Sequence, residues 1–292
     1  MFFSHKKWIP VICLVFAMLL WGGSFIALKI AFRAYDPMVV IFGRMFVASL
    51  CFLVFWRKLK REDISRSDVK PILLMAIFEP CLYFIFEARA IENTTASQAG
   101  MITAMLPLMV AIAAVFILRE RLHIRTLLGF ILAVAGAILL GVKGDQTIAD
   151  APNPALGNFF EFLAMVSATG YTISLKKLSA RHSAFFLTAV QAFIGAVFFG
   201  LFLFLPATRL PDHVDMGAII AVAYLGAVVT MGAYFLYNYG VSQMPASKAS
   251  AFVNLIPVFT LALGWMILGE TFTSMQFIAS GIIFAGVLLS QN

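Results

Sequence analysis

Three charged side chains sit well inside long apolar runs: Arg44, Glu79 and Glu161. A charge at the centre of a membrane helix costs roughly 2.5–3.5 kcal/mol on insertion scales, so such residues have a partner or a task. Arg44 lies seven residues past Pro37, about 10 Å from one boundary at ~1.5 Å per residue. Glu79 lies nine residues past Lys70, about 13 Å from the opposite boundary. In an apolar core of about 30 Å their depths differ by roughly 7 Å, within reach of an arginine. Glu161, seven residues past Pro154, matches the depth of Arg44 more closely. Two chemistries fit. In one, Arg44 pairs with Glu79 or Glu161 and locks a helical bundle. In the other, one carboxylate faces a cavity as a proton site or a cation partner.

Other residue types point to the same interior. Trp21, Tyr83, Phe84, Tyr171, Tyr234 and Tyr237 fall within apolar runs. A tyrosine deep in a bilayer needs a hydrogen-bond partner, which favours Tyr83 and Tyr234 as cavity residues. Rings combined with an acid would suit a cationic or aromatic solute. Pro107 and Pro257 lie mid-run, where proline removes a helix hydrogen bond and kinks the span. Thr103 and Asn254 are the polar groups beside them. Glu87, Arg89 and Glu92 read as an outer-mouth group, with Arg89 and Glu92 a solvated i, i+3 pair. Glu120 and Glu270 read as helix-turn contacts at opposite faces. Catalysis finds no support: His5, His123, His182 and His213 all lie in loops or near the termini. No HExxH or GxxxxGK[ST] motif is present, so neither a catalytic zinc nor ATP is expected, and no metal or other cofactor.

These residues need elements to hold them. The chain has 292 residues, 62% hydrophobic and 12% charged, where a soluble domain carries about 25% charge. That excludes a two-domain soluble enzyme, a disordered protein and a nucleic-acid binder. Ten apolar segments are expected near 10–30, 38–56, 71–91, 96–118, 124–142, 155–175, 184–205, 216–240, 246–268 and 274–290. Asp36-Pro37, Asp68 before Pro71, and Asn153-Pro154 read as helix starts, and Thr273 with Gln276 as a capping box. Cys13, Cys51 and Cys81 read as packed thiols without a disulfide. Gly129/Ala133 and Gly281/Ala285, spaced i, i+4, permit close helix contact.

With a cytoplasmic N-terminus, fifteen of the 21 Lys and Arg residues fall on inner segments and five on outer ends. That bias is the positive-inside signal of a cell (inner) membrane protein with both termini cytoplasmic. The second half also repeats the first. Ala96-Ser97-Gln98-Ala99 leads to Pro107 as Ala246-Ser247-Lys248-Ala249 leads to Pro257. Ile117-Leu118-Arg119-Glu120 aligns with Ile267-Leu268-Gly269-Glu270, and Ala135-Gly136 with Ala285-Gly286. Residues 1–146 and 147–292 are thus expected to be two five-helix repeats. An odd helix number inverts the second, and the loop charges agree: 119–125 carries three arginines and 269–275 none. Inverted repeats build alternating-access carriers with a midplane site.

The Trp21-Gly22-Gly23-Ser24-Phe25 segment with Lys29, the in-span Arg44, the two Ala-Ser helix starts and the two Leu-x-Glu turns resemble the drug/metabolite transporter superfamily. The resemblance is to its ten-span EamA type and covers nearly the whole chain. Glu79, Glu87 and Glu161 fall outside that pattern. The resemblance implies an all-α integral membrane protein of ten transmembrane helices around a central cavity. It also implies export of amino acids, other metabolites or toxic compounds. The expected cavity set is Trp21, Ser24, Glu79, Tyr83, Thr103, Tyr171, Tyr234 and Asn254, with charge coupling at Arg44, Glu79 and Glu161. The expected partners are a small-molecule substrate, the lipid bilayer and protons; the expected form is a monomer or weak homodimer. A passive channel or uniporter is the competing reading, and an intramembrane enzyme a remote one.

Overall fold

The computed structural model describes residues 8–59, 62–94, 96–141, 152–268 and 274–291. Among these the ordered elements are all helical. We label the long stretches α1 (Trp8–Ala34), α2 (Pro37–Leu53), α3 (Arg66–Asn93), α4 (Ala99–Leu118) and α5 (Ile124–Gly141). They continue as α6 (Pro154–Leu178), α7 (Ala184–Phe202), α8 (Met216–Gln243), α9 (Ala246–Leu263) and α10 (Ser274–Gln291). Six of them, α1, α3, α4, α7, α8 and α9, are long and apolar enough to cross a membrane. Segments within α2, α5 and α10 are shorter apolar helices. α6 has 25 residues and carries Glu161, Lys176 and Lys177. In lipid a helix satisfies its own backbone, which is why apolar runs of this length take that form. Large apolar side chains such as Phe46, Leu50, Phe116, Val197, Leu201 and Leu288 lie on the exterior. So much exposed apolar surface is the outer wall of an all-helical membrane protein.

Local chemistry sets the helix ends. The Asp36 carboxylate accepts from Met38 N at 2.8 Å, with Pro37 opening α2. Asn153 accepts from Leu156 N at 3.2 Å ahead of Pro154. Ser183 and Asp215 cap α7 and α8. One expected start moves. α3 begins not at Asp68-Pro71 but at Arg66, with Ser65 as its cap. Asp68 accepts from Ser65 N at 3.1 Å and from its hydroxyl at 2.6 Å, so it closes the cap from inside the first turn. Thr273, of the capping box expected at the last helix, lies outside the described residues.

The spans are interrupted at matching places. In α4 a 3-10 turn, Thr103–Met105, precedes the segment that Pro107 opens. In α9 a 3-10 stretch, Ala251–Leu255, precedes the segment containing Pro257. Each proline sits at the second residue of its segment, where its missing N–H is not needed. In α3 Glu79 leaves the helical region, at φ −149° and ψ 118°, ahead of Pro80, which disfavours a helical predecessor. In α8 a wide π segment, Tyr224–Ala233, contains Val229, which follows Glu79 by 150 residues. The two proline positions are 150 residues apart as well.

Helices from early and late in the chain interleave. α1 packs on α8 and α9, and α6 packs on α3 and α4. α2 packs on α7, and α5 on α10. The α5–α10 contact is backbone on backbone. A Cβ on Gly129 would stand 2.6 Å from both Gly286 O and Ser290 N, and one on Gly286 would stand 2.7 Å from Ala133 N. Of the two i, i+4 pairs read as close-contact positions, Gly129 and Ala133 pack closely, against Gly286. Around Gly281 there is open space to 4 Å.

Candidate substrate cavity

A cavity forms where α1, α2, α3, α4, α6, α8 and α9 converge. Trp21, Ser24, Arg44, Glu79, Tyr83, Thr103, Tyr171 and Tyr234 all line it. About 40 Å³ is open to the centres of water molecules, room for roughly three waters at ~10–15 Å³ each.

One wall is aromatic. The rings of Trp21 and Tyr234 lie 5.0 Å apart, edge to face. Those of Trp21 and Tyr237 lie 4.9 Å apart, and Tyr171 approaches Tyr234 at 6.4 Å. These are the spacings at which ring quadrupoles attract. The hydroxyls are engaged. Tyr234 donates to Glu79 Oε1. Tyr83 donates to Glu87 Oε1 at 2.9 Å. Tyr171 Oη meets Asn238 Oδ1 at 2.7 Å and Gln191 Oε1 at 2.9 Å. Thr103 turns its hydroxyl to Gly100 O at 2.6 Å, inside its own helix. Among the described residues the buried indole N–H of Trp21 finds no hydrogen-bond partner.

The other wall is charged, and its pairing departs from the sequence-based expectation. Arg44, 2% exposed, reaches Glu87 at 3.8 Å rather than Glu79 or Glu161. Its Nε donates to Thr230 Oγ1 at 3.2 Å, and its guanidinium lies 4.3 Å from the centre of the Phe84 ring. Glu87 was expected at the outer mouth, yet it is buried and lines the cavity. The physical reason is depth. Glu87 lies six residues before the end of α3 at Asn93, about 9 Å in at ~1.5 Å per residue, level with Arg44. Arg89 and Glu92 form the expected exposed pair at 3.0 Å.

Two expected site residues stand outside this lining. Glu161 is wholly buried in α6, and among the described residues neither carboxyl oxygen meets a hydrogen-bond partner. Asn254 is buried beside the cavity residue Val253, its amide likewise unpartnered. Pro107 and Pro257 each follow a 3-10 turn and do not line the cavity. The lining also includes Thr172, Leu106 and Ile256, which carry no sequence signal beyond being small or apolar. The kink at Glu79 did have a signal, the Glu79-Pro80 pair in mid-span.

At one face the turn between α8 and α9 is held from two sides. Lys176 Nζ donates to Val241 O at 2.9 Å and Met244 O at 2.8 Å, capping the end of α8. The Glu120 carboxylate accepts from Ala246 N at 2.7 Å and from the Ser247 hydroxyl at 2.6 Å, capping the start of α9. Glu120 thus reaches from the α4–α5 loop to α9. Glu270 lies outside the described residues. Among the described residues no cluster of His, Cys, Asp and Glu could hold a metal ion.

The model of the EamA-like transporter family matches residues 8–142 and again residues 155–291. The chain belongs to the EamA-like transporter family. Relatives match along most of its length. The uncharacterized transporter YcxC of Bacillus subtilis is 28% identical over 99% of this chain and 94% of its own. YetK of the same organism is 25% identical over 96% of this chain and 86% of its own. An uncharacterized transporter of Archaeoglobus fulgidus is 26% identical over 97% of this chain and 98% of its own. A solved crystal structure superposes with a TM-score of 0.76, covering 96% of this chain and 97% of that one, at 18% identity. That likeness shows the fold alone.

Proposed function

We propose that this EamA-family membrane protein is a secondary transporter that exports a small metabolite, amino acid or toxic organic compound by alternating access, coupled to protons. The observation that carries the reading is the small cavity ringed by Arg44, Glu79 and Glu87 between helices from both family matches. Intramembrane carboxyl groups mark ion pathways and proton relays. On this reading Glu79 or Glu161 takes up and releases the proton.

The reading includes ten spans in two inverted repeats, 1–146 and 147–292, in the cell (inner) membrane with both termini cytoplasmic. Three observations support it. The family model matches twice. Helix breaks recur 150 residues apart. Exchanging the halves maps α1 on α8 and α9 onto α6 on α3 and α4, and maps α2–α7 and α5–α10 onto themselves. A pseudo-two-fold axis of this kind lets one half rock against the other around a fixed site.

Proton coupling is tested in liposomes. An imposed pH gradient is expected to accelerate transport several-fold. Glu79→Gln or Glu161→Gln is expected to abolish that acceleration. Equal rates with and without the gradient, and none altered by either substitution, would overturn the coupling. Counterflow of a labelled solute separates a carrier from a pore.

On this reading the turn held by Glu120 and Lys176 is the closed inner gate. Glu120→Ala removes charge-assisted hydrogen bonds worth about 1.5–3 kcal/mol, or roughly ten- to a hundredfold in the closed-to-open ratio. In a background freed of Cys13, Cys51 and Cys81, Thr103→Cys would report the opening. Its reaction with an impermeant thiol reagent from the inner side should quicken by at least about tenfold. An unchanged rate would remove Glu120 from the gate.

A further inference from the structure

We propose that the substrate is a small organic cation whose ammonium group sits between the Glu79 carboxylate and the rings of Trp21, Tyr234 and Tyr237. The charges of the wall come first. Arg44 is occupied on three sides, by Thr230, Glu87 and the face of Phe84. Glu87 is its counter-charge. Glu79 remains as the surplus acid of the lining, held by a neutral phenol donor rather than by a cation. An anionic solute would meet that surplus directly. A zwitterion would have to displace Glu87 from Arg44 to place its own carboxylate.

The rings supply the second part. Trp21 lies against Tyr234 and Tyr237 with centroids 5.0 and 4.9 Å away, and Tyr234 also carries the hydroxyl that holds Glu79. Aromatic faces beside a carboxylate form a cage for ammonium groups, and removal from water strengthens the attraction. The unpartnered Trp21 N–H is the third observation. A buried donor left without an acceptor is unusual in a finished wall, and an occupant or its water would complete it. The present space of roughly three waters fits an ammonium head and little more, so the remainder of the solute must be admitted as the cavity opens.

The proposal rests on the transporter reading for the cavity being a substrate site, and it is tested by binding alone. Four solutes share a phenyl ring and differ in charge: phenethylamine, phenylalanine, phenylpropanoate and phenethyl alcohol. Each is titrated into the purified protein, with melting temperature and Trp fluorescence as readouts. Phenethylamine is expected to bind at least about tenfold more tightly than the other three. Glu79→Gln keeps an acceptor for Tyr234 and should remove that preference. Trp21→Leu should weaken phenethylamine by about tenfold and leave the alcohol little changed. Tighter binding of the acid or the zwitterion, or no binding of the amine to the folded protein, overturns the cation assignment. Transport of an uncharged or anionic solute by the same protein would then leave the transporter reading standing alone. If Glu79→Gln fails to fold, the wild-type series still decides.

Discussion

Replacing Arg44 by glutamine is expected to lower the stability of the solubilised protein by about 3–5 kcal/mol, the range for breaking a buried ion pair from one side. The substitution strips Glu87 of its cation and, among the described residues, leaves it only the Tyr83 hydroxyl. It also removes the Nε donor to Thr230 and the charge over Phe84. Transport should vanish with it, because Glu79 and Glu87 share one small cavity. The double variant Arg44→Gln/Glu87→Gln separates charge from packing, since it removes both members of the pair and should recover most of the loss. Thermal unfolding of the wild type, both single variants and the double variant forms a closed cycle. A single variant that melts with the wild type would mean that the 3.8 Å pair contributes nothing. A double variant no better than Arg44→Gln would mean that packing, not charge, holds Arg44.

Gly129→Leu or Gly286→Leu should be nearly as damaging. Overpacking usually costs about 1–3 kcal/mol because side chains can shift. Here the added atoms meet backbone at 2.6 and 2.7 Å, so α5 and α10 must part along their contact and the loss should reach or pass the top of that range. Gly281→Leu is the built-in control, since nothing stands within 4 Å of its added Cβ. Monodispersity in detergent and melting temperature are the readouts. Equal behaviour of Gly129→Leu and Gly281→Leu would refute the seam.

Much of the architecture was written in local composition. Apolar runs bounded by Asp36-Pro37 and Asn153-Pro154 place their helices to within a few residues, because capping and proline geometry act over one turn. The cavity aromatics were legible for a related reason: a tyrosine deep in lipid must find a partner, and Tyr83 and Tyr234 find Glu87 and Glu79. The partner of Arg44 was not legible. Depth arithmetic needs helix ends, and α3 runs to Asn93, two residues past its expected limit. The shift sets Glu87 about 9 Å deep instead of about 6 Å at ~1.5 Å per residue, level with Arg44. Nor could glycine spacing name the face that packs. Gly281 and Gly286 sit on one helix, and only the neighbour's position distinguishes them. The three hydrogen bonds of Glu120 to α9 bridge 126 or 127 residues, beyond the range of any local pattern.

The interleaving of early and late helices bears on how the chain is made. α1 is made well before α8 and α9, yet it is tied to them by hydrogen bonds: Tyr224 donates to Leu20 O across 204 residues, and Thr260 to Gly22 O across 238. At about 5–20 residues per second, those 200-odd residues take roughly 10–50 s to synthesise. Through that interval Trp21, Ser24 and the carbonyls of Leu20 and Gly22 stand in the bilayer without their final neighbours. Assembly therefore cannot proceed half by half. Helices α6 and α7 can meet α3, α4 and α2 as they emerge, but α1 must wait in lipid until α8 and α9 arrive to close around it.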